Sequence, residues 1–495
     1  MKQLFFISTC LLFPLFSFSQ QKLSNEEIKL LERIDKNYQE TVQLLEEVVN
    51  INSGSLNLAG VREVGRVFER EFQKIGFQTE WVAVPEEVKR AGHFVATRKG
   101  SKGKKLFLIG HLDTVFEKDM PFTPFTWLND STATGQGAND MKGGDVLVLA
   151  SLKAMHELDL LEDRTITVYF NGDEESTGNA TLARKDFIER AKQHDIALAY
   201  ETAQGFGGAT VARRGASGWT LKTTGKQGHS SGVFGQNAGY GAIYEAARIL
   251  NEFREALAGE KYLTFNPGQI VGGSDVNINS STGAGSSLGK TNIVARETIV
   301  TGDLRFLGEA QKEAARAKMR EIVANNLHQT DAEITFSDGI PSMEPTPGNY
   351  ALAEVLSQVS QDLGYGPVKP GDPGSRGAGD ISFVASFMDS LDGLGASGSG
   401  AHAPGETIHM KQFPALIKRN TILLYRLTRY IDEKKYPPIP LGLGPARQPP
   451  PKIRRSYPHE LKKNRRLSGL YSTFREYKYQ QHSLGHQRTK WSRKV

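Results

Sequence analysis

Cysteine is almost absent from this chain of 495 residues, and the one that is present is poorly placed for chemistry. Cys10 lies inside an apolar run at the N-terminus. If that run is removed on export, the mature protein has no thiol, which excludes disulfides, a cysteine nucleophile and cysteine metal ligands. Any metal site must then be built from histidine and carboxylate side chains.

Long apolar runs are rare as well, and the clearest one is this N-terminal run. Residues 4–18 are almost wholly apolar, Lys2 precedes them, and Ser17 and Ser19 are small residues placed for cleavage near Gln20. The pattern predicts a signal peptide over residues 1–19 and a secreted or periplasmic protein without a membrane span after cleavage. A retained anchor is the alternative, although the run is short for a membrane span. A lipoprotein anchor is not expected, because the cysteine lies within the run.

Positive charge is concentrated at the other end of the chain. The net charge is +6, yet residues 436–495 hold 14 Lys plus Arg against 2 Glu, so the remainder is net acidic. This segment is rich in proline and lacks a sustained apolar period, which predicts a basic, largely disordered tail. It is interpreted as a solvated extension or a reading-frame scar, with a polyanion-binding arm as the alternative. No nucleic acid partner is expected for the acidic body.

Apolar periodicity predicts alternating helices and strands over the first half of the body. A capping box at Ser24 and Glu27 begins a helix that runs to about Val49. A continuous apolar strand over 106–110 is typical of a sheet covered on both faces. The other expected helices are 61–75, 145–157 and 180–193, and the other expected strands are 78–84, 93–98, 165–170 and 196–200. This order predicts an α/β fold, a mixed sheet flanked by helices.

The pattern changes between residues 213 and 331. Strands at 219–224, 263–271, 297–306 and 332–336 and helices at 237–257 and 309–327 give the order β-α-β-β-α-β, which is ferredoxin-like. We therefore expect an inserted α+β domain, with the Gly- and Ser-rich segment 274–289 as a mobile loop. The predicted domains are a signal peptide 1–19, a catalytic domain in two parts, 20–212 and 332–435, the inserted dimerisation or lid domain 213–331, and the tail 436–495.

Five side chains point to a metal centre organised around Asp140. This aspartate lies in the glycine-rich stretch 137–144. The other four follow strand-like segments or lie in Gly-rich loops, and they are His111, Glu175, Glu201 and His402. Each of them alone is more often a surface or turn residue. Together, two histidines and three carboxylates with one shared match a two-metal hydrolytic site, with zinc favoured and cobalt or manganese possible.

Two further carboxylates lie next to predicted metal ligands in the sequence and are expected to support the metal centre. Asp113 lies two residues after His111, on the same side of an extended chain, and is expected to orient that imidazole. Glu174 precedes Glu175, and adjacent residues of an extended chain point in opposite directions. One glutamate can then bind metal while the other faces the attacking water.

Four stretches together resemble the zinc aminoacylase and carboxypeptidase family, which includes acetylornithine deacetylase, succinyl-diaminopimelate desuccinylase and glutamate carboxypeptidase. They are residues 111–115, 137–144, 170–175 and 225–230. The similarity runs from about residue 23 to 436 with the motifs in order. It is strongest to the glutamate carboxypeptidase branch, and the tail lies outside it.

The resemblance implies a role for each residue of the set. His111 and Glu201 would hold one metal ion and Glu175 and His402 the other, with Asp140 between them. Asp113 would brace His111, and a cis peptide would follow Asp140. Glu174 would be the general base that takes a proton from water and passes it to the leaving amine.

The resemblance also implies residues on the inserted domain and a homodimer. His229 would reach the active site of a dimer partner and polarise the scissile carbonyl. Asn292 and Arg305 match substrate-gripping positions, Arg305 as a carboxylate clamp. The loop at 374–380 departs from the family's usual Gly-Gly-Thr-Asp-like sequence, and its Arg376 adds a positive charge near the cleft.

The predicted activity is hydrolysis of an amide next to a free carboxylate, in short peptides or N-acyl amino acids, with C-terminal glutamate as one option. A deacylase or aminoacylase acting on N-acyl groups is the first alternative. The second is an inactive envelope protein that binds polyanions through its tail.

Overall fold

The computed structural model describes residues 23–279 and 282–429. The predicted signal peptide, the basic tail and its polyanion-binding role concern residues outside these ranges. Within them, no helix combines the length and the apolar character that a membrane crossing requires.

The helices and strands of the described residues alternate through the first half of the chain, as the periodicity predicts. The helices are α1 Asn25–Val49, α2 Leu58–Lys74, α3 Lys142–His156, α4 Ala180–Ala183, α5 Lys185–Ala191, α6 Ala242–Leu257, α7 Glu309–Val323, α8 Pro347–Asp362 and α9 Phe413–Leu427. The strands are β1 Gln78–Val82, β2 His93–Arg98, β3 Leu106–His111, β4 Thr126–Asn129, β5 Thr132–Thr134, β6 Ile166–Asn171, β7 Ile196–Ala199, β8 Gly208–Ala209, β9 Gly215–Gly225, β10 Thr264–Gly273, β11 Asp275–Ile278, β12 Gly285–Leu288, β13 Glu297–Phe306, β14 Thr330–Asp338, β15 Lys369–Pro370, β16 Asp389–Leu391, β17 Gly398–Ser399 and β18 Thr407–Ile408.

The largest sheet is mixed and is covered on both faces. Its order is β1-β2-β6-β3-β7-β16. The strands β6, β3, β7 and β16 are parallel to one another, whereas the β1–β2 and β2–β6 pairs are antiparallel. Leu106 and Leu108 of β3 pack in the larger apolar cluster with α1, α2, α3 and α9, whereas Phe107 and Ile109 face a second cluster with Phe187 of α5. Successive side chains of a strand point to opposite faces. The predicted two-sided burial of this strand is therefore confirmed.

The local signals at the first helix are confirmed, but the single helix predicted over 180–193 is wrong. At α1, Ser24 Oγ accepts from the Glu27 N–H at 3.2 Å, and the Ser24 N–H donates to Glu27 Oε2 at 2.7 Å. The expected later helix is broken into α4 and α5 at Arg184, whose side chain is fully buried. Its guanidinium forms ion pairs with Asp173 and Asp380. The break accommodates these buried ion pairs, which apolar periodicity does not reveal.

The second half contains a separate antiparallel sheet of order β10-β13-β9-β14, covered by α6 and α7. With its chain order β9-α6-β10-β13-α7-β14, this is the ferredoxin-like arrangement that the sequence predicts. Its last strand continues to Asp338, so this sheet ends beyond the expected boundary at residue 331.

The segment 274–289, predicted to be a mobile loop, is largely a two-stranded ribbon, so that prediction is wrong. β11 and β12 pair antiparallel from Asp275 opposite Leu288 to Ile278 opposite Gly285. Val276 and Ile278 supply the β-branched alternation that supports a strand. The Gly and Ser content of the segment obscured this short signal.

Candidate metal centre

The first group of predicted ligands meets where parallel strands of the large sheet end. His111 is the last residue of β3, and Glu201 follows β7 closely. The His111 Nε2 atom lies 3.4 Å from Asp140 Oδ1 and 3.6 Å from Glu201 Oε1. Because the carboxyl ends of neighbouring parallel strands lie at one edge, side chains distant in sequence converge there.

The second group is completed from the far end of the chain. His402 Nε2 lies 3.1 Å from Asp140 Oδ2 and 3.1 Å from Glu175 Oε2. Asp140 therefore contributes one oxygen to each group, and the ligand atoms of each group lie within 4.8 Å of one another. The structure brings together all five predicted ligands, and it places Asp140 between the two positions.

The chemistry of these atoms fits divalent cations. His111 Nε2 is buried without a hydrogen-bond partner among the described residues, and it points at two carboxylates. Burial, then the charge of Asp140, raises the pKa of Glu201 to about 7. Imidazole and carboxylate are suitable zinc ligands, and two dications would offset the repulsion among the acids.

Asp113 braces the site differently from the prediction. The His111 Nδ1 atom lies 3.0 Å from the backbone oxygen of Asp113 and 3.6 Å from its carboxylate. The carboxylate accepts instead from the backbone N–H groups of Glu174 and Glu175 at 3.0 and 3.1 Å, and from Ser55 Oγ at 2.5 Å. Asp113 thus orients the imidazole through its main chain and the glutamate pair through its side chain.

The loop that carries Asp140 is held by a buried glutamate which the sequence analysis did not assign. Glu406 Oε1 accepts from the N–H groups of Asn139 and Asp140 at 2.7 and 2.9 Å, and Oε2 accepts from Gly137 at 3.1 Å. The peptide bond after Asp140 is cis, as the resemblance implied. Glu406 lies in the Gly-rich loop of His402, and its position four residues after that histidine is the sequence signal that could have identified it. One residue thus ties together the loops of two ligands.

Glycine is required on this loop for steric reasons. Gly137 has φ of 73°, and a Cβ there would lie 2.5 Å from Thr114 Cγ2. A Cβ at Gly144 would lie 2.1 Å from the backbone oxygen of Tyr200. The first turn of α3 therefore packs directly against the end of β7, next to Glu201.

Glu174 lines a cleft of about 340 Å³ together with Asp140, Glu201 and His402, so each ligand group contributes at least two of its residues to the cleft wall. The cleft is lined by Asp140, Glu174, Glu201, Thr202, Arg213, Ser375, Arg376, Gly377, Ala378, Ala401 and His402. Burial, followed by the charge of Glu201, raises the pKa of Glu174 well above its usual value. A carboxyl group of raised pKa on the wall of this cleft suits a general base that must later release its proton.

Arg213 and Asp392 form a second buried support that the sequence analysis missed. Their side chains make an ion pair, and Asp392 is fully buried. Arg213 also donates to the backbone oxygens of Gly377 and Ala378 at 3.2 and 3.1 Å, and its Nη2 lies 3.7 Å from Glu201 Oε2. A lone Arg and a lone Asp give no pattern in sequence, since only the fold pairs them.

The three residues predicted on the inserted domain do not line the cleft of their own chain. His229 is exposed, with Nδ1 2.8 Å from Ser231 Oγ, and Asn292 is exposed nearby. Arg305 lies on β13 and is paired with Asp303 at 2.9 Å. All three belong to the separate four-stranded sheet and its loops, so their substrate contacts stay a prediction about a dimer.

The sequence of this chain is similar to those of known metallopeptidases and related hydrolases. The family model described as peptidase family M20/M25/M40 matches residues 107–425, well over half of the chain. Carboxypeptidase G2 of Pseudomonas sp. (strain RS-16) is 27% identical over 372 residues, which cover 73% of this chain and 83% of that protein. Succinyl-diaminopimelate desuccinylase of Bordetella avium (strain 197N) is 24% identical over 363 residues, covering 70% and 88%.

A solved structure supports the same fold. Aminopeptidase PepT from Bacillus cereus superposes with a TM-score of 0.63 at 18% identity, covering 80% of this chain and 98% of that one. The predicted family is confirmed, and the similarity to carboxypeptidase G2 supports its glutamate carboxypeptidase-like branch. With its two ligand groups sharing Asp140, the protein is a metal-dependent hydrolase of amide bonds and belongs to peptidase family M20/M25/M40.

Proposed function

We propose that this protein is an exported carboxypeptidase-type hydrolase that cuts an amide bond next to a free carboxylate. Short peptides and N-acyl amino acids are the substrate class, with C-terminal glutamate the first residue to test. The observation that carries the proposal is that one cleft is lined by Glu174, by Arg376 and by residues of both ligand groups. Export, to the periplasm or the medium, rests on the N-terminal sequence alone.

The chain's own residues divide the reaction between them. Bound at the two ligand groups, a pair of divalent ions would polarise the scissile carbonyl and lower the pKa of the attacking water. Glu174 takes the proton of that water and delivers it to the leaving nitrogen. Asp113 fixes the main chain of Glu174 and Glu175, so the proton carrier and a ligand are held in one geometry.

The alternative is a deacylase that removes an acyl group from an amino acid. The similarity to a succinyl-diaminopimelate desuccinylase supports it, since that enzyme's name denotes removal of a succinyl group. Both reactions break an amide near a carboxylate and use the same ligand set. They differ in which side of the bond the pocket recognises.

A homodimer formed through the inserted domain is part of the proposal. The loop after His229 carries Phe234, 56% exposed, whose ring lies 5.1 Å from that of Tyr244, 53% exposed. Ile243 and Ile270 are also about half exposed, and Ile243 reaches over β10 near Gly272, two residues from Ile270. An apolar aromatic face of this kind favours burial against a second copy. His229 lies beside it in the chain.

A substrate panel on metal-loaded protein tests the proposal. Zinc-, cobalt- and manganese-loaded samples would be assayed on dipeptides ending in Glu, Asp, Leu or Lys, and on N-acetyl, N-succinyl and N-aminobenzoyl glutamate. Activity on peptides ending in Glu supports a carboxypeptidase, whereas activity restricted to N-acyl amino acids supports the deacylase. Two bound metal ions with no turnover of any amide would reject both.

A further inference from the structure

Arg376 is the one cleft-lining cation of the described residues whose side chain has no hydrogen bond or ion pair there. The cleft also contains Arg213, but that guanidinium is buried and paired with Asp392. Arg376 is half-buried, and its side chain forms neither a hydrogen bond nor a salt bridge with any other described residue. A guanidinium presents five donors and strongly prefers a planar carboxylate partner.

The backbone that carries Arg376 is anchored on both sides. Arg214 N–H donates to the Arg376 backbone oxygen at 3.1 Å, and Gln204 Nε2 donates to Ser375 Oγ at 2.9 Å. On the other side, Arg213 donates to the backbone oxygens of Gly377 and Ala378. The chain therefore fixes where the side chain begins while leaving its end free for a ligand.

The metal cage and Arg376 occupy the same cleft. The carboxylates of Asp140, Glu174 and Glu201 lie among the lining residues, with His402 and Arg376. Metal ions would balance the acids, but they would not bind a second carboxylate that lies away from the scissile bond. Arg376 is placed for that group, and it belongs to the same chain as the ligands.

Arg305, in contrast, is poorly placed for this role within one chain. It lies on the four-stranded sheet, is 41% exposed, and its Nε is already engaged with Asp303 at 2.9 Å. To bind a substrate carboxylate it would have to exchange this partner and reach a cleft that it does not line. Arg376 has neither requirement.

We propose that Arg376 binds a carboxylate of the substrate and thereby sets the preference of this enzyme for acidic substrates. This inference rests on the proposed function and names the residue that recognises the free carboxylate. The carboxylate is either the terminal one of the leaving amino acid or that of its side chain, and substrate pairs distinguish these two sources. Arg376 is a binding residue here and takes no part in proton transfer.

The test compares Arg376→Gln with the wild type, with Arg305→Gln, and with Arg70→Gln as a matched control on the surface of α2. Substrates are N-acyl-glutamate, its α-amide and N-acyl-glutamine, which remove one carboxylate at a time. We expect Arg376→Gln to lower kcat/KM for N-acyl-glutamate roughly 10- to 100-fold, mainly through KM. The substrate that lacks the recognised carboxylate should be unaffected, and Arg376→Lys should recover part of the loss.

The outcomes separate the two proposals. If the wild type cleaves no amide, the proposed function fails. If the wild type prefers N-acyl-glutamate and Arg376→Gln keeps that preference, the inference about Arg376 is overturned and the function stands. A loss of preference only in Arg305→Gln would assign the carboxylate to that residue instead. Unchanged metal content and melting temperature in Arg376→Gln establish that the site itself is intact.

Discussion

Glu406 supports Asp140 from behind: its Oε1 accepts the Asp140 N–H at 2.9 Å, while the Asp140 side chain faces both histidines. Because Glu406 belongs to the loop of His402, it couples the bridging ligand to the ligand that completes the second position. Mutation of a residue that orients a metal ligand commonly lowers metal affinity about 10- to 100-fold.

We therefore expect Glu406→Gln to weaken metal binding by roughly 10- to 100-fold. The side-chain amide nitrogen that this substitution introduces is a donor. It cannot accept the hydrogen bond from the Gly137 N–H, so two N–H donors face each other where one hydrogen bond existed. Titration against a chelator measures the affinity. Glu27→Gln is the matched control. Glu27 is a buried glutamate of α1 that accepts a hydrogen bond from Arg426 of α9 and lies outside the ligand groups. Equal metal affinity in wild type and Glu406→Gln would refute the coupling.

Glu174→Gln should keep both metal ions and lose about 10²- to 10⁴-fold in kcat, the range of general base catalysis. Its backbone N–H to Asp113 is retained, so the geometry of the loop is preserved. Metal analysis and steady-state kinetics on the best substrate measure the two quantities. Glu175→Gln serves for comparison, since it removes a ligand and should lower metal content. A kcat of Glu174→Gln equal to that of the wild type would exclude Glu174 as the general base.

Arg213→Met should destabilise the fold by about 3–5 kcal/mol, because it leaves the fully buried Asp392 without its ion pair. The double variant Arg213→Met/Asp392→Leu should recover much of this loss, since no unpaired charge remains. Guanidinium unfolding of metal-free protein measures both. If the double variant loses as much free energy of unfolding as the two single variants lose together, Arg213 and Asp392 do not act as a pair.

We expect the folded protein to lose stability in mild acid, because the buried side chain of His93 resists protonation. Burial, then the charge of Arg184, lowers the pKa of His93 to about 3. His93 Nε2 lies 3.0 Å from the Ala183 oxygen, and Nδ1 accepts from Gly172, so the folded state requires the neutral ring. The unfolded chain takes up a proton near pH 6.5, and the folded protein does so only near pH 3. Stability should fall by roughly 1.4 kcal/mol per pH unit between these values.

His93→Gln removes this titration, so its stability difference from the wild type should shrink steadily as the pH falls from 6.5 towards 4. Urea unfolding of metal-free samples across this range measures the difference. Between pH 7 and 8 the two curves should run parallel, which provides the internal control. A constant difference at all pH values would contradict the prediction.

Subunit complementation tests the proposed role of His229 across a dimer. His229→Ala and Glu174→Gln chains should each be nearly inactive, but after mixing and subunit exchange they should regain a substantial part of the wild-type activity. The reason is that a mixed dimer contains one site with both residues intact. Ile270→Lys on the proposed face should give monomers in sedimentation analysis. No recovery in a mixture that has exchanged subunits would place His229 outside the partner's site.

The ligand set could be predicted because its members follow recognisable strands or Gly-rich stretches and because the motifs together resemble a known family, although each residue alone is a weak signal. His111 and Glu201 follow continuous apolar runs, and parallel strands bring such ends together. The sequence could not predict Arg213 with Asp392 or Arg184 with Asp173, because buried ion pairs join residues that no periodic pattern connects. The ribbon at 275–288 was missed for another reason, since short strands rich in Gly and Ser resemble loops.

His402 enters the site from the last part of the described chain, beyond the whole four-stranded sheet. The second ion position therefore requires residues from both parts of the catalytic body, since Asp140 and Glu175 precede that sheet and His402 follows it. A nascent or truncated chain that ends before residue 402 lacks one of the two imidazoles, so it cannot hold a full pair of ions. Removal of the C-terminal part of the body from residue 402 onwards is therefore expected to abolish the second ion position, even where the large sheet still folds.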